Sequence, residues 1–143
     1  MVDQKSDQDL YDELSIYTLE HRDSSFIHQY IVDAYAAQHA DKNTKPITIA
    51  FALMGLYLHL EKGYSGKQVQ NAHIEMAKKK TSLPEFTFPV ERGEVTVRDV
   101  VNTKPGIERD QMINIWSNSV WKAWSASHIQ VAEWLKSEMK SIL

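Results

Sequence analysis

Cysteine is absent from this chain of 143 residues. Its absence excludes disulfide bonds, thiolate metal sites and catalysis by a thiol nucleophile. A chain without disulfides is compatible with a reducing compartment. Residues 1–12 are mostly polar and acidic, without the apolar run of a signal peptide. We therefore expect a cytoplasmic protein.

Glycine and basic residues are also scarce. The five glycines form no Gly-x-Gly pair, so the loops that cradle phosphate in nucleotide-binding folds are missing. No Gly-x-Ser-x-Gly motif is present for a serine nucleophile. The formal net charge is −3, and the one dense basic run is the three lysines at 78–80. We interpret that run as a helix end and predict no binding to nucleic acid.

One segment is apolar enough to be compared with a membrane span. Residues 46–60 carry no formal charge, but they are fewer than the roughly 20 residues that a spanning helix needs. Their apolar side chains fall on nearly every side of a helix, which indicates a helix surrounded by others. We predict a central core helix here and no membrane interaction.

Helical spacing of apolar residues dominates the rest of the chain. The predicted helices cover 9–20, 25–40, 47–62, 65–79 and 107–142, the last with a break near 125–127. Pro46 suits a first turn, Gly63 suits a helix stop, and Ser65 with Gln68 has the spacing of a capping box. A further short helix is predicted at 96–101.

The segment near 83–97 has a different pattern. Residues 86–88 and 95–97 are rich in strand-forming side chains and flank 91–94, which predicts a small hairpin. Pro84 and Pro89 confine such a hairpin to an edge or an extended flap. The predicted fold class is therefore all-α: one domain, 1–143, forming an antiparallel bundle of four to five helices with this small insertion.

A single carboxylate interrupts the second predicted helix. Asp33 is the only formal charge between residues 24 and 40, and an unpaired buried charge costs several kcal/mol. In helices that alternate in direction, Asp33 and His73 lie about 12 Å from the same end, so we predict that they pair. His28 and His59 also lie at similar distances from that end, so we predict that they form a second polar layer across the bundle. His39 lies about 16 Å from His28 along the helix and cannot share an ion with it.

These polar residues allow two interpretations. In the first, His28, His73 and His128 bind a divalent ion such as Zn²⁺, Ni²⁺ or Fe²⁺, with Asp33 as a ligand or an orienting partner. In the second, Asp33 accepts hydrogen bonds within a satisfied core network that fixes the helix register. Neither His-x-x-x-His nor Glu-x-x-His occurs, which argues against zincin and di-iron sites.

Four tryptophans lie in the last predicted helix, at positions 116, 121, 124 and 134. They fit either a hydrophobic core or the wall of a pocket for a small-molecule ligand. Trp121 and Trp124 cannot share one narrow stripe with the other apolar residues. Part of this helix therefore has a wide apolar face, as at a subunit interface or a pocket wall.

Two functional hypotheses follow from the sequence. The leading one is a polar cavity centred on His28, Asp33 and His73, which as an enzyme would be a metal-assisted transferase or hydrolase. The alternative is a non-enzymatic structural or interaction module, homodimeric through apolar helix faces.

Residues spread over most of the chain carry a family resemblance. They are 21–40, 44–48, 55–57, 63–66, 92–93, 96–97, 99–100 and the region 116–124. As a set they resemble an uncharacterised bacterial family of small domains, and this resemblance implies no activity. A looser likeness, at the level of the fold, is to DinB-like helical bundles, which place three histidines around one metal ion. Here the last predicted helix holds only His128, with no second histidine four residues away.

Overall fold

The computed structural model describes residues 4–21 and 23–139, and the regular structure in these ranges is entirely helical. The all-α class is therefore confirmed. The described residues form seven α-helices, more than the four to five of the predicted bundle, because the short helix and the break in the last helix, both expected, add to the count. They are α1 (Asp7–Glu20), α2 (His28–His39), α3 (Pro46–Lys62), α4 (Gly66–Ala77), α5 (Val97–Val101), α6 (Ile107–Ala123) and α7 (His128–Glu138), with a 3₁₀ turn at Ser125–Ser127.

The predicted helix signals operate as expected. Pro46 begins α3, and Gly63 follows its last residue with a left-handed φ of 70°. Ser65 caps α4: its hydroxyl accepts from the Gln68 amide at 3.2 Å, and the Gln68 side chain accepts from the Ser65 amide at 2.8 Å. A capping box also starts the short α5, at Thr96. These sequence signals therefore predict where α3, α4 and α5 begin and where α3 ends.

The centre of the molecule is α3, which contacts α2, α4, α6 and α7. Its uncharged sequence explains this position, since a helix with apolar residues on all sides must be surrounded. α2 runs antiparallel to α3, because Tyr30 stacks on His59 near one end and Asp33 meets Gly55 further along. This pairing places the single carboxylate of α2 inside the core.

The segment 80–96, here called the strap, differs from the predicted hairpin: none of its residues lies in a strand. Its backbone groups are bonded by side chains from the helices. Ser127 accepts from the Thr87 amide at 3.1 Å, and Ser119 accepts from the amides of Glu94 and Val95 at 3.0 and 3.3 Å. Because these hydroxyls satisfy the backbone, a strand ladder is not needed. The predicted hairpin is therefore wrong, although the segment is extended.

The last predicted helix breaks at the expected place. α6 ends at Ala123, the 3₁₀ turn occupies Ser125–Ser127, and α7 follows. The predicted end of this helix at 142 lies outside the described residues. All four tryptophans are buried, with exposures from 0 to 6%. The wide apolar face of this helix therefore packs into the hydrophobic core.

Candidate functional site

Asp33 lies in the core with 3% of its surface exposed. Its carboxylate Oδ1 accepts a hydrogen bond at 3.2 Å from the side chain of Gln29, one turn earlier on α2. Burial away from water raises the pKa of Asp33 well above its ordinary value, and the hydrogen bond from Gln29 opposes this only in part. The structure therefore favours a neutral carboxyl group, which needs no charged partner.

Gly55 of α3 provides the space for this carboxyl group. A Cβ at Gly55 would lie 1.9 Å from Asp33 Oδ2 and 2.4 Å from Asp33 Cγ, far inside van der Waals contact. The Asp33 side chain thus rests directly on the α3 backbone, without a cavity between them. A substrate would have no room at this carboxyl group.

His73 lies on α4 and packs against another part of α3. Its Nε2 is 2.9 Å from the carbonyl oxygen of Phe51, and its ring stacks on the Phe51 ring at 5.3 Å. A carbonyl only accepts, so Nε2 carries the proton. Burial lowers the pKa of His73. Among the described residues Asp33 and His73 share no hydrogen bond, so the predicted pair is not formed.

His28 forms its contact with α1. Its Nδ1 is 2.9 Å from Thr18 Oγ1, and that hydroxyl donates its own proton to the Ser15 carbonyl at 3.1 Å. The Thr18 hydroxyl therefore connects the His28 ring to α1. Burial lowers the pKa of His28. The predicted layer with His59 is not formed by hydrogen bonds, since His59 contacts the Tyr64 carbonyl and Asn114 instead.

His128 is attached to α6. Its Nε2 donates to the Trp121 carbonyl at 2.8 Å, and its ring stacks on the Trp121 ring at 3.7 Å. The indole of Trp121 in turn donates to Glu61 at 2.9 Å. His128 therefore fixes the start of α7 against the end of α6.

The four predicted metal ligands are not brought together. Each of the three histidines has a ring nitrogen engaged by its own neighbours, and Asp33 is engaged by Gln29. Within residues 4–21 and 23–139, no group of three or more His, Asp or Glu side chains could hold a metal ion. Metal binding by these residues stays a prediction from the sequence that the geometry does not favour.

A polar network that the sequence did not reveal joins α2, α6 and the strap. Gln38 accepts from the Trp116 indole at 2.9 Å and donates to the carbonyls of Arg92 and Val95 at 3.1 and 2.8 Å. Arg92 donates to the carbonyls of Ala37 and Ala40 at the end of α2. Its guanidinium also lies 5.5 Å from the Trp124 ring. The contacts between these segments come from distant parts of the chain, so sequence spacing gives no signal for them.

The outward side of α6 carries an unusual surface. Its exposed residues, here called the α6 face, are Ile107, Glu108, Gln111, Asn114, Ile115, Asn118 and Lys122. Ile107 is 76% exposed and Ile115 is 50% exposed. Residues 111–121 carry no formal charge, although charged residues form 24% of the chain. An apolar residue surrounded by uncharged amides is thus presented to solvent.

Two shallow depressions flank Ile115. One, of about 610 Å³, lies between α6 and the strap and includes the fully exposed Val90. The other, of about 510 Å³, is lined on the opposite side by Ile107, Asp110 and neighbouring α6 residues. Ile115 lines both depressions. In the sequence, the uncharged run 111–121 is the signal for this surface. The same run contains tryptophans at helical spacing, which indicate a core-facing helix and so hide the exposed side.

A family model described as a family of unknown function, DUF5946, matches residues 3–125. The chain belongs to this family. The match to DUF5946 confirms the predicted membership of an uncharacterised family and includes the whole of α6. No curated protein and no solved structure matches the chain. The likeness to DinB-like bundles is not shown by these comparisons.

The length and hydropathy of the helices bear on whether any of them could cross a membrane. Within the described parts of the chain, none of the helices combines the length and apolar character needed to cross a lipid bilayer. The DUF5946 match itself assigns no activity.

Proposed function

We propose that the chain is a cytoplasmic, non-enzymatic interaction module that pairs with a second copy of itself through the α6 face. The observation that carries this proposal is the solvent-exposed Ile115, which stands between two depressions on a helix surface without formal charge from 111 to 121. Depletion of charge around an apolar centre distinguishes interface cores from ordinary surface.

The polar interior supports a non-enzymatic role. Asp33, His28, His73 and His128 each bond to neighbouring protein groups, and these bonds fix how the helices pack. A metal-dependent transferase or hydrolase would need ligands or acid–base groups that converge on a cavity. Among the described residues, no group of three or more His, Asp or Glu side chains could hold a metal ion.

The size of the α6 face limits the strength of pairing. A helix of 17 residues is about 25 Å long, so its face covers a few hundred square ångströms. A stable interface buries about 800 Å² on each partner. The depressions beside Ile115 and the exposed Val90 extend the surface toward this value. We therefore expect a reversible dimer whose population depends on concentration.

The test is sedimentation of the purified chain over a concentration series, with one substitution on the α6 face and one elsewhere. Ile115→Asp places a charge at the centre of the proposed interface and should reduce dimerisation at least tenfold. Ile129→Asp is the matched control, because Ile129 is 71% exposed and belongs to α7, not to the α6 face. This control should dimerise like the original chain.

The folded state of both variants is checked by thermal unfolding, since exposed substitutions usually change the free energy of unfolding by less than about 0.5 kcal/mol. A chain that stays monomeric throughout the series overturns the proposal. Equal weakening by the two substitutions does so as well, because it would show that pairing does not use the α6 face.

A further inference from the structure

The charges of the α6 face are arranged symmetrically about Ile115. Glu108 lies seven residues before Ile115, and Lys122 lies seven residues after it. Seven residues are nearly two helical turns, so the three side chains lie close to one line along the helix. Ile115 is also the central residue of α6, which extends from Ile107 to Ala123.

Glu108 and Lys122 have no oppositely charged partner in the part of the chain that the structure describes. Among the described residues, Glu108 and Lys122 take part in no salt bridge. Both side chains are exposed. Each lies about 10 Å from Ile115 along the helix axis. The α6 face thus presents one negative and one positive group at equal distances from its apolar centre.

We propose that two copies pair antiparallel, with the two-fold axis passing through Ile115. This inference rests on the proposed function and adds the orientation of the partner. A two-fold axis brings a surface against itself, so Ile115 meets its own counterpart. The same operation places Glu108 of each copy beside Lys122 of the other. A parallel pair would instead place like charges together at both ends.

The direction of the helices supports this arrangement. Glu108 lies in the first turn of α6 and Lys122 in the last. In an antiparallel pair the positive end of one helix dipole lies beside the negative end of the other. The charged side chains and the helix dipoles therefore favour the same orientation.

Charge reversal provides the first experiment. Glu108→Lys and Lys122→Glu should each weaken dimerisation severalfold, because each creates two like-charge contacts across the two-fold axis. The double variant, Glu108→Lys with Lys122→Glu, should restore the original dimer constant. Failure of the double variant to recover overturns the antiparallel pairing.

Because the chain has no cysteine, a single introduced cysteine can form a disulfide only with its counterpart in another copy. Cross-linking therefore gives a second experiment with a different readout. Ile115→Cys should form a disulfide between two copies under mild oxidation, since a residue on the axis meets its counterpart. Glu108→Cys should not, because the two positions would be about 21 Å apart along the axis. A mixture of Glu108→Cys and Lys122→Cys should form the mixed dimer.

The outcomes separate this inference from the proposed function. Efficient disulfide formation by Glu108→Cys alone would show parallel pairing and overturn the orientation, while self-association through the α6 face would stand. A dimer that is weakened by Ile115→Asp but by neither charge reversal would also overturn the orientation and leave self-association through the α6 face standing. A monomeric chain would overturn the proposed function itself.

Discussion

Asp33 and Gly55 depend on one another, because the carboxyl group of one rests on the backbone of the other. We expect Gly55→Ala to lower the free energy of unfolding by about 1–3 kcal/mol, as overpacked cores do. This would occur although alanine favours a helix over glycine by about 1 kcal/mol. Urea unfolding gives the measurement.

The control for this prediction shortens the opposing side chain. Asp33→Ala removes the atoms that the new methyl group would meet, so the double variant should be more stable than the sum of the two single changes allows. Additive effects would contradict the steric explanation.

The raised pKa of Asp33 makes the stability of the protein depend on pH. The folded chain holds this proton at pH values where the unfolded chain has lost it, so folding takes up a proton. The stabilising contribution is complete below the ordinary carboxyl pKa of 3.8 and is lost as pH rises through the raised folded value. Asp33→Asn keeps a neutral acceptor for Gln29 and removes the titration.

Unfolding of the original chain and of Asp33→Asn should therefore be compared from acidic to neutral pH. The advantage of the asparagine variant should grow as pH rises, because other titrating groups are common to both proteins. A difference that stays constant across this range would show that the carboxyl group ionises normally in the folded state.

At the scale of single residues, the sequence predicted that Asp33 is buried but not what surrounds it. The burial followed from the lack of other charges between 24 and 40. The predicted partner was wrong because Asp33 accepts its hydrogen bond from Gln29 on the same helix. A comparison of depths on different helices does not detect such a local partner.

The strap is a structural element held mainly by side chains. Arg92 is its anchor: it donates to the free carbonyls at the end of α2 and to the Pro89 carbonyl at 3.0 Å. Its guanidinium lies 5.6 Å from the Phe88 ring and 5.5 Å from the Trp124 ring. We expect Arg92→Ala to lower the free energy of unfolding by about 2–3 kcal/mol, because hydrogen bonds from charged groups are among the stronger ones.

Two further variants make this prediction specific. Arg92→Lys keeps the charge but loses the planar fork, so its effect should be intermediate. Glu91→Ala changes an exposed neighbour in the strap and should shift stability by less than about 0.5 kcal/mol. If Arg92→Ala had no larger effect than Glu91→Ala, the anchoring role would be refuted.

Among the elements, the helices were predictable and the strap was not. Pro46, Gly63 and the pair Ser65 and Gln68 act within a few residues, so their sequence alone signals a helix end. The strap depends on Ser119 and Ser127, which lie 24 to 40 residues further along the chain. Its strand-like composition indicated extended backbone correctly, but not that hydroxyl groups would replace a partner strand.

At the scale of the whole molecule, metal content distinguishes the two hypotheses that the sequence left open. We expect untagged protein to contain no stoichiometric divalent metal by elemental analysis. A chelator should leave its melting temperature unchanged, because the candidate ligands bond to protein groups. Near-stoichiometric metal and a large drop in melting temperature with the chelator would favour the metal-dependent alternative.

Gln38 imposes a direction on the junction of α2, α6 and the strap. The Trp116 indole can only donate, while the carbonyls of Arg92 and Val95 can only accept. The position therefore demands one end that accepts and another that donates twice, and a primary amide is the side-chain group that offers both. Glutamate has the same shape but no hydrogen to give, so a change of one heavy atom would leave two carbonyls facing a negative charge. The junction discriminates between isosteric groups as a ligand pocket would, with the protein's own side chain as the ligand.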